Sequence, residues 1–300
     1  MIGQALADGI LTGGILALGA IGYSLSVKIL KFANFAHAEF LSVGAYLALT
    51  LAALMGAGTP IDPLSFGLPL IAATIIAGVA TGVIAILVDT LVFSRLRARR
   101  AAALTLVFAS FGMALILRNL VLLLWGPNAH YYGQELQIAI EVLPDVRMLP
   151  DHVFVLVLTI LLVLSLHFFL QTSRVGVAMR AMADSPALSQ ACGIDTASVI
   201  RWTWLLAGML AACAGVFAGL TVQIRPELGF NMLLAVLTAA VLGGAGNLFG
   251  AVVGGLVVGL AESLSVLIIP ASFKPAIPFL LLLIVLYVRP QGLFTKSVRA

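Results

Sequence analysis

Charge is what this sequence has least of. Asp, Glu, Lys and Arg make up 9% of its 300 residues and apolar residues 62%, against about 25% and about 45–50% in soluble domains. Twelve acidic and 16 basic side chains cannot dress the surface of a soluble protein of this size, which excludes the soluble enzyme classes. The net charge of +4 reads as an orientation signal in a membrane, not as a nucleic-acid footprint. Cysteine is scarce too. Cys192 and Cys213 fall on different elements and form neither a disulfide framework nor a metal spacing. The four histidines, His37, His130, His152 and His167, fit no His-x-x-x-His pattern. No Gly-x-Ser-x-Gly elbow is present. No Gly-x-x-x-x-Gly-Lys-Ser/Thr loop is present either, and the glycines of GAGNLFG miss the dinucleotide pattern by one residue. The sequence therefore assigns no catalytic residue, no cofactor and no metal. If ATP drives this chain, another polypeptide hydrolyses it. The opening MIGQALADG lacks a basic n-region, so no cleavable leader is expected.

What the chain has instead is apolar length. Its apolar stretches are long and unalternating, which argues for helices and against a barrel. The expected fold is all-α, a polytopic integral membrane protein forming one transmembrane domain over residues 1–300. Gly9–Val27, Phe40–Ala57, Gly67–Val88, Ala101–Leu117 (continuing past Arg118 to Trp125), Val153–Leu170 and Trp202–Val222 each approach or reach the roughly 20 residues of a span. Asn231–Leu242 and Ala276–Val288 are short, and Ala251–Ile269 carries Glu262. These imply two or three further spans, some broken, and eight or nine in all. Broken helices persist at membrane depth only where protein or a wet path covers them.

Placing the N-terminus outside and alternating puts twelve of the 16 basic residues inside: Lys28, Lys31, Arg95, Arg97, Arg99, Arg100, Arg174, Arg180, Arg201, Arg289, Lys296 and Arg299. Outside fall Arg118, Arg147, Arg225 and Lys274. Asp8, Asp62, Glu135, Glu141, Asp145, Asp151 and Glu227 also fall outside. This positive-inside bias makes about 174–201 a cytoplasmic loop, about 126–151 an outer loop, and the C-terminus cytoplasmic.

The cytoplasmic loop contains a short helix with its own signals. Ser185 is a cap, Pro186 suits the first helical position, Asp184 adds charge the dipole favours, and Gly193 ends it. A capped surface helix between two spans implies a docked partner. Asn34, His37 and Glu39 recur among Phe32, Phe35 and Phe40, with Asn34 and His37 on one helix face. They read either as functional polar groups or as an interfacial aromatic belt. Glu262 is a functional candidate at membrane depth. Its alternatives are a helix end near water or a neutral group in a packed core. Asp89 is a boundary charge. Gly-x-x-x-Gly pairs at Gly9/Gly13, Gly78/Gly82, Gly215/Gly219, Gly250/Gly254 and Gly255/Gly259 favour close helix packing, within the chain or against a partner subunit. No ladder of intramembrane charges suits a proton-coupled carrier acting alone. A stand-alone secondary transporter or channel is the alternative of another class.

NFAHAEFLSVGAYLAL (Asn34–Leu49) resembles the signature of branched-chain amino-acid ABC transporter permeases, with Ala38 where the family often has Gly. AAVLGGAGNLFGAVVGGLVVGLAES (Ala239–Ser263), VRPQGLF (Val288–Phe294) and Arg180, Ala181, Asp184, Pro186, Gly193 and Ile194 of the loop resemble the same family in order. The length and the His-containing motif resemble its H-type (LivH-like) subunit. The resemblance implies an importer in the bacterial inner membrane with a second M-type permease subunit, two cytoplasmic ATPases and a periplasmic substrate-binding protein; a second copy of this chain is the alternative permease partner. Its substrates are branched-chain or related amino acids, or urea or short-chain amides. It implies coupling to the ATPase through Asp184, Ser185, Pro186, Ala187, Leu188 and Gly193. It further implies helix breaks near the translocation path at Asn34, His37 and Glu39 and at Gly243, Gly244 and Gly246. Glu262 joins them as a path candidate on its position in a span.

Overall fold

The computed structural model describes residues 2–56, 58–133, 137–144, 146–244, 246–289 and 291–294. Glu135, Asp145, Lys296 and Arg299 of the charge assignment lie outside the described residues. Among the described residues twelve α-helices run in the order α1 Ile2–Leu30, α2 Ala36–Leu54, α3 Leu68–Val88, α4 Ser94–Ala98, α5 Ala103–Trp125, α6 Pro150–Thr172, α7 Arg174–Asp184, α8 Pro186–Ala191, α9 Thr196–Thr221, α10 Leu228–Gly243, α11 Leu248–Ser265 and α12 Ala276–Val288. Counting α3 and α4 as one rod, seven helices among the described residues are long and apolar enough to cross a membrane, and α10 and α12 are shorter apolar helices.

The bundle has a basic end and a far end. Lys31 Nζ donates to Ala183 O at 2.9 Å. Gly246 packs on the Lys28 side chain. These contacts gather the end of α1, the α7–α8 surface and the α10–α11 turn at the basic end. The helix starts and ends at the far end meet the outer loop. Val146 lies against Gly3, and Arg147 N donates to Gln4 Oε1. Asp151 accepts from Ser65 N at 3.0 Å and Gln137 Nε2 at 2.8 Å, and its other oxygen accepts from Ser65 Oγ.

Glycine sets the core spacing. A Cβ on Gly13 of α1 would stand 2.8 Å from Leu256 Cα of α11. Gly259 closes on Gly13 from the other side, so these two helices touch backbone to backbone. The intrachain reading of Gly9/Gly13 and Gly255/Gly259 therefore holds. α1 is buried along most of its length, whereas Leu104, Phe108 and Leu123 of α5 and Val157, Leu161 and Phe168 of α6 are exposed. Helices apolar on an outward face need lipid or another apolar surface there.

The structure departs from the sequence reading in three places. The basic run Ser94–Arg100 extends α3 through a π-helical stretch, Asp89–Phe93, before the chain turns at positive φ on Arg100. The outer loop holds a two-stranded hairpin, β1 Ile140–Leu143 and β2 Val146–Met148, with Glu141 opposite Arg147. Its alternation is short, and Val146 and Met148 are buried while Arg147 is not. Finally, Asn34 is not on a helix face with His37. Helix α2 begins at Ala36, and Asn34 stands before it, its Oδ1 accepting from Ala36 N at 3.2 Å. A short amide satisfies the open helix start better than it fills a helix interior.

Candidate substrate path and coupling surface

After α1 ends at Leu30, residues 31–35 turn back along it, so that α2 starts level with the middle of α1. His37 Nε2 pairs with Gly19 O at 3.0 Å. A Cβ on Gly22 would stand 2.9 Å from the His37 ring and 3.0 Å from Ala207 O. The imidazole thus fills a notch that glycine leaves open. Ring edges of Tyr23 and Phe40 close around it at 6.0 and 6.4 Å. Asn34, His37 and Glu39 are all buried, and Glu39 Oε2 has no hydrogen-bond partner among the described residues. The charges that reach Glu39 are those of Arg118 and Glu227, themselves 3.8 Å apart.

A second break faces the first. Between α9 and α10 the chain re-enters at Pro226, whose carbonyl accepts from Ser42 Oγ, and Ser42 Oγ accepts from Gly229 N at 2.8 Å. One hydroxyl of α2 thereby satisfies both sides of a buried helix start. The 16-residue α10 can therefore start inside the bundle without leaving these polar groups unsatisfied. Val236 of α10 then packs on Gly19. The middle of α1, the start of α2 and α10 form a closed waist, where Leu18, Ala20 and Ile21 are all at most 1% exposed.

Cavities open on both sides of this waist. Toward the far end, one of ≈ 520 Å³ reaches from Asp8 to Leu16 on α1 and from Leu228 to Ala235 on α10, with Glu262 in its wall. Toward the basic end, one of ≈ 660 Å³ is lined by Leu25, Lys28, Arg180, Asp184 and Gly246. Glu262 sits in the last turn of α11, 8% exposed. It is at a helix end, as one sequence alternative had it, but on a cavity wall instead of in open solvent. Gly243, Gly244 and Gly246 lie at the basic end. Gly244 and Gly246 take φ of 93°, and Gly243 presses against Gly250, so a side chain fits poorly at any of the three.

The basic-end helix follows its signals atom by atom. Ser185 Oγ accepts from Leu188 N, and Pro186 occupies the first position. Gly193, at φ 82°, ends α8. Its N–H donates to Gln190 O and that of Ile194 to Ser189 O, both at 3.0 Å, the paired bonds of a Schellman cap. Asp184, Pro186, Ala187, Leu188 and Gly193 are exposed and Ser185 half-buried, while Ser189 is buried and anchors the helix. Leu188 is 64% exposed. The sequence did not anticipate α7, an amphipathic helix capped by Ser173, which carries this helix outward.

Residues 5–286 match the family model described as branched-chain amino acid transport system / permease component. The chain belongs to this family. It is 33% identical over 300 residues to the high-affinity branched-chain amino acid transport system permease protein LivH of Salmonella typhimurium, covering 98% of this chain and 95% of the relative. It is 31% identical over 307 residues to the high-affinity branched-chain amino acid transport system permease protein BraD of Pseudomonas aeruginosa, with the same coverage. It is 26% identical over 303 residues to a probable LivH of Methanocaldococcus jannaschii, covering 96% and 91%. The chain is thus a multi-pass permease subunit, a transport component of an ATP-binding-cassette system.

In this permease the buried partners were harder to foresee than the motifs. Asp89 is a structural ion-pair residue, gripped by Arg97 at 2.7 and 2.9 Å. His130 and Ile224 exchange two backbone hydrogen bonds of 2.9 Å that tie the outer loop to the α9–α10 break. Tyr132 Oη donates to Ala45 O at 2.9 Å, and burial pushes its phenol well above the ordinary range. His152 joins Glu262 on the far-end cavity from a distant part of the sequence, and Lys274 joins it from beyond the end of α11. No periodicity links them, so no local signal reveals the grouping.

Proposed function

We propose that this permease forms the membrane path for branched-chain or related amino acids in an inward-pumping transporter of the bacterial inner membrane. Its far end faces the periplasm and receives the loaded substrate-binding protein. Its basic end, with the C-terminus, faces the cytoplasm and the ATPases. A second permease subunit of the M type completes the pair, two ATPase subunits hydrolyse the ATP, and residues 1–300 act as one transmembrane domain. Asp184, Ser185, Pro186, Ala187, Leu188 and Gly193 dock on an ATPase. Closure of the ATPases moves α7 and α8, and with them α6 and α9. Asn34, His37 and Glu39 line the waist that opens, Glu262 lines the outer approach, and Gly243, Gly244 and Gly246 line the inner exit. The observation that carries this reading is a capped helix exposing Leu188 at the basic end of a chain with no nucleotide motif of its own. Caps at both ends hold this helix with Leu188 outward, which supports its use as a docking surface.

Reconstitution of the permease pair with and without its ATPases, followed by radiolabelled leucine uptake with binding protein supplied, tests the reading. Uptake requires the ATPases and ATP. Equal uptake without them would make the chain a carrier or channel working alone, and ATP-driven uptake of urea in place of leucine would move the substrate class.

A further inference from the structure

The far-end cavity is chemically divided. Its volume of ≈ 520 Å³ is within the about 300–1,000 Å³ of small-molecule sites. The side chains near its mouth are ionic or polar: Asp8, His152, Arg225, Asn231, Glu262 and Lys274. On the same helices Leu11, Ile15, Met232 and Ala235 contribute an apolar wall. Several of the polar groups are held by the protein itself. Gln4 Nε2 donates to Asp8, and the Gln223 amide oxygen, turned to suit both of its neighbours, accepts from Arg225 Nε at 2.9 Å.

Two opposite charges are left over. Glu262 as a residue is 8% exposed, yet among the described residues it takes part in no ion pair, and the bond from Ser265 Oγ uses its backbone carbonyl alone. Lys274, half-buried across the cavity, has no ion pair either. They share a cavity in which no ion pair is closed between them, although the Lys274 charge acts on Glu262 across it. A lone cation would answer Glu262 but face Lys274, and a lone anion would do the reverse. A molecule carrying both charges, with an apolar tail, answers every part of the wall.

We infer that this cavity is a recognition site for the zwitterion of an apolar α-amino acid. The α-ammonium sits on Glu262 and the α-carboxylate on Lys274, with the side chain directed inward onto Ile15 and Met232. The inference rests on the reading of the chain as an amino-acid permease, and adds to it a selective site borne by the permease itself. No covalent step is involved.

The test uses the full permease assembly in nanodiscs, without binding protein, so that binding by the permease alone is measured. L-leucine, 4-methylpentanoate (no ammonium) and 3-methylbutylamine (no carboxylate) are compared by thermal shift and calorimetry. Leucine binds and raises Tm, while each analogue binds at least tenfold more weakly. Glu262→Gln and Lys274→Gln each weaken leucine binding tenfold or more. Lys274 lies in a surface segment between α11 and α12, so its variant reports even if the buried change impairs folding. Leucine binding unchanged in both variants, or the amine binding as well as leucine, would overturn the inference. Uptake separates the two levels. ATP-dependent uptake with an unchanged KM in both variants removes the cavity site and leaves the permease reading standing. A wild-type assembly without ATP-dependent uptake removes the reading itself.

Discussion

Arg97 Nη1 and Nη2 meet the two carboxylate oxygens of Asp89 at 2.7 and 2.9 Å. In a regular α-helix, eight residues leave two side chains about 80° apart around the axis. The π-helical stretch Asp89–Phe93 is wider per turn, and it rotates Arg97 back over Asp89. The fork is bidentate, and the Asp89 side chain is only 8% exposed. Arg97→Ala leaves that carboxylate buried and alone. It should cost about 2 kcal/mol, less than the about 3–5 kcal/mol of a fully buried pair because Arg97 keeps some contact with water. The double variant Asp89→Leu/Arg97→Leu should recover most of the loss. Unfolding in detergent measures both, and a double variant as unstable as the single one would contradict the account.

The contact between α1 and α11 admits no side chain at Gly13. Gly13→Val places its Cβ 2.8 Å from Leu256 Cα and 3.0 Å from Gly255 O, and backbone cannot yield as a side chain does. A loss at the upper end of about 1–3 kcal/mol is expected. Gly112 of α5 has nothing within 4 Å of its Cβ position. Gly112→Ala should therefore be neutral or stabilise by up to about 1 kcal/mol. Equal effects at the two sites would show that glycine flexibility, not close approach, matters here.

Gly193→Val tests the coupling helix. At φ 82° a β-branched residue is strained by about 1–2 kcal/mol, and the paired cap bonds loosen. ATP hydrolysis should continue while substrate-stimulated uptake falls severalfold. Leu188→Asp, at a 64% exposed position, should leave the permease folded but weaken co-purification of the ATPases. Wild-type assembly and uptake in both variants would remove this helix from coupling.

Tyr132 gives a pH signature. Its folded pKa is raised by burial above the ordinary value of about 10. The group therefore contributes stability that is fully present below pH 10. That contribution is lost as pH rises beyond 10 toward the folded value. Tyr132→Phe removes the 2.9 Å bond to Ala45 O, costing about 0.5–1.5 kcal/mol at neutral pH. Its stability should fall less steeply than the wild type above pH 10. Parallel alkaline curves for the two proteins would show that the phenol is not held as described.

Gly22→Ala addresses the waist. The new methyl would meet the His37 ring at 2.9 Å and Ala207 O at 3.0 Å. The ring must shift off Gly19 O, so uptake should drop severalfold with a modest loss of Tm. The histidine ring resonances, followed by NMR in labelled protein, should move. An unmoved His37 signal would exclude the notch.

Much of this protein could be read along the chain, because its strongest signals are local. The membrane class follows from 9% charge, since no soluble surface can be built from so few ions. The short helix at Pro186–Ala191 followed from Ser185, Pro186 and Gly193, because caps act within four residues. The motif around His37 led to the family. What the tertiary structure alone decided is which distant groups meet. Ser42 completes the start of α10, Gly19 receives His37, and Arg97 reaches Asp89 only because a π-helical stretch turns it. Glu262 and Lys274 come to one cavity wall without closing an ion pair among the described residues. Such pairings depend on helix depth and rotation, set by glycine contacts between segments more than a hundred residues apart, as at Gly13 and Gly259. Hydrophobic periodicity carries no information about those distances, so the bundle had to be seen folded before its polar groups could be matched.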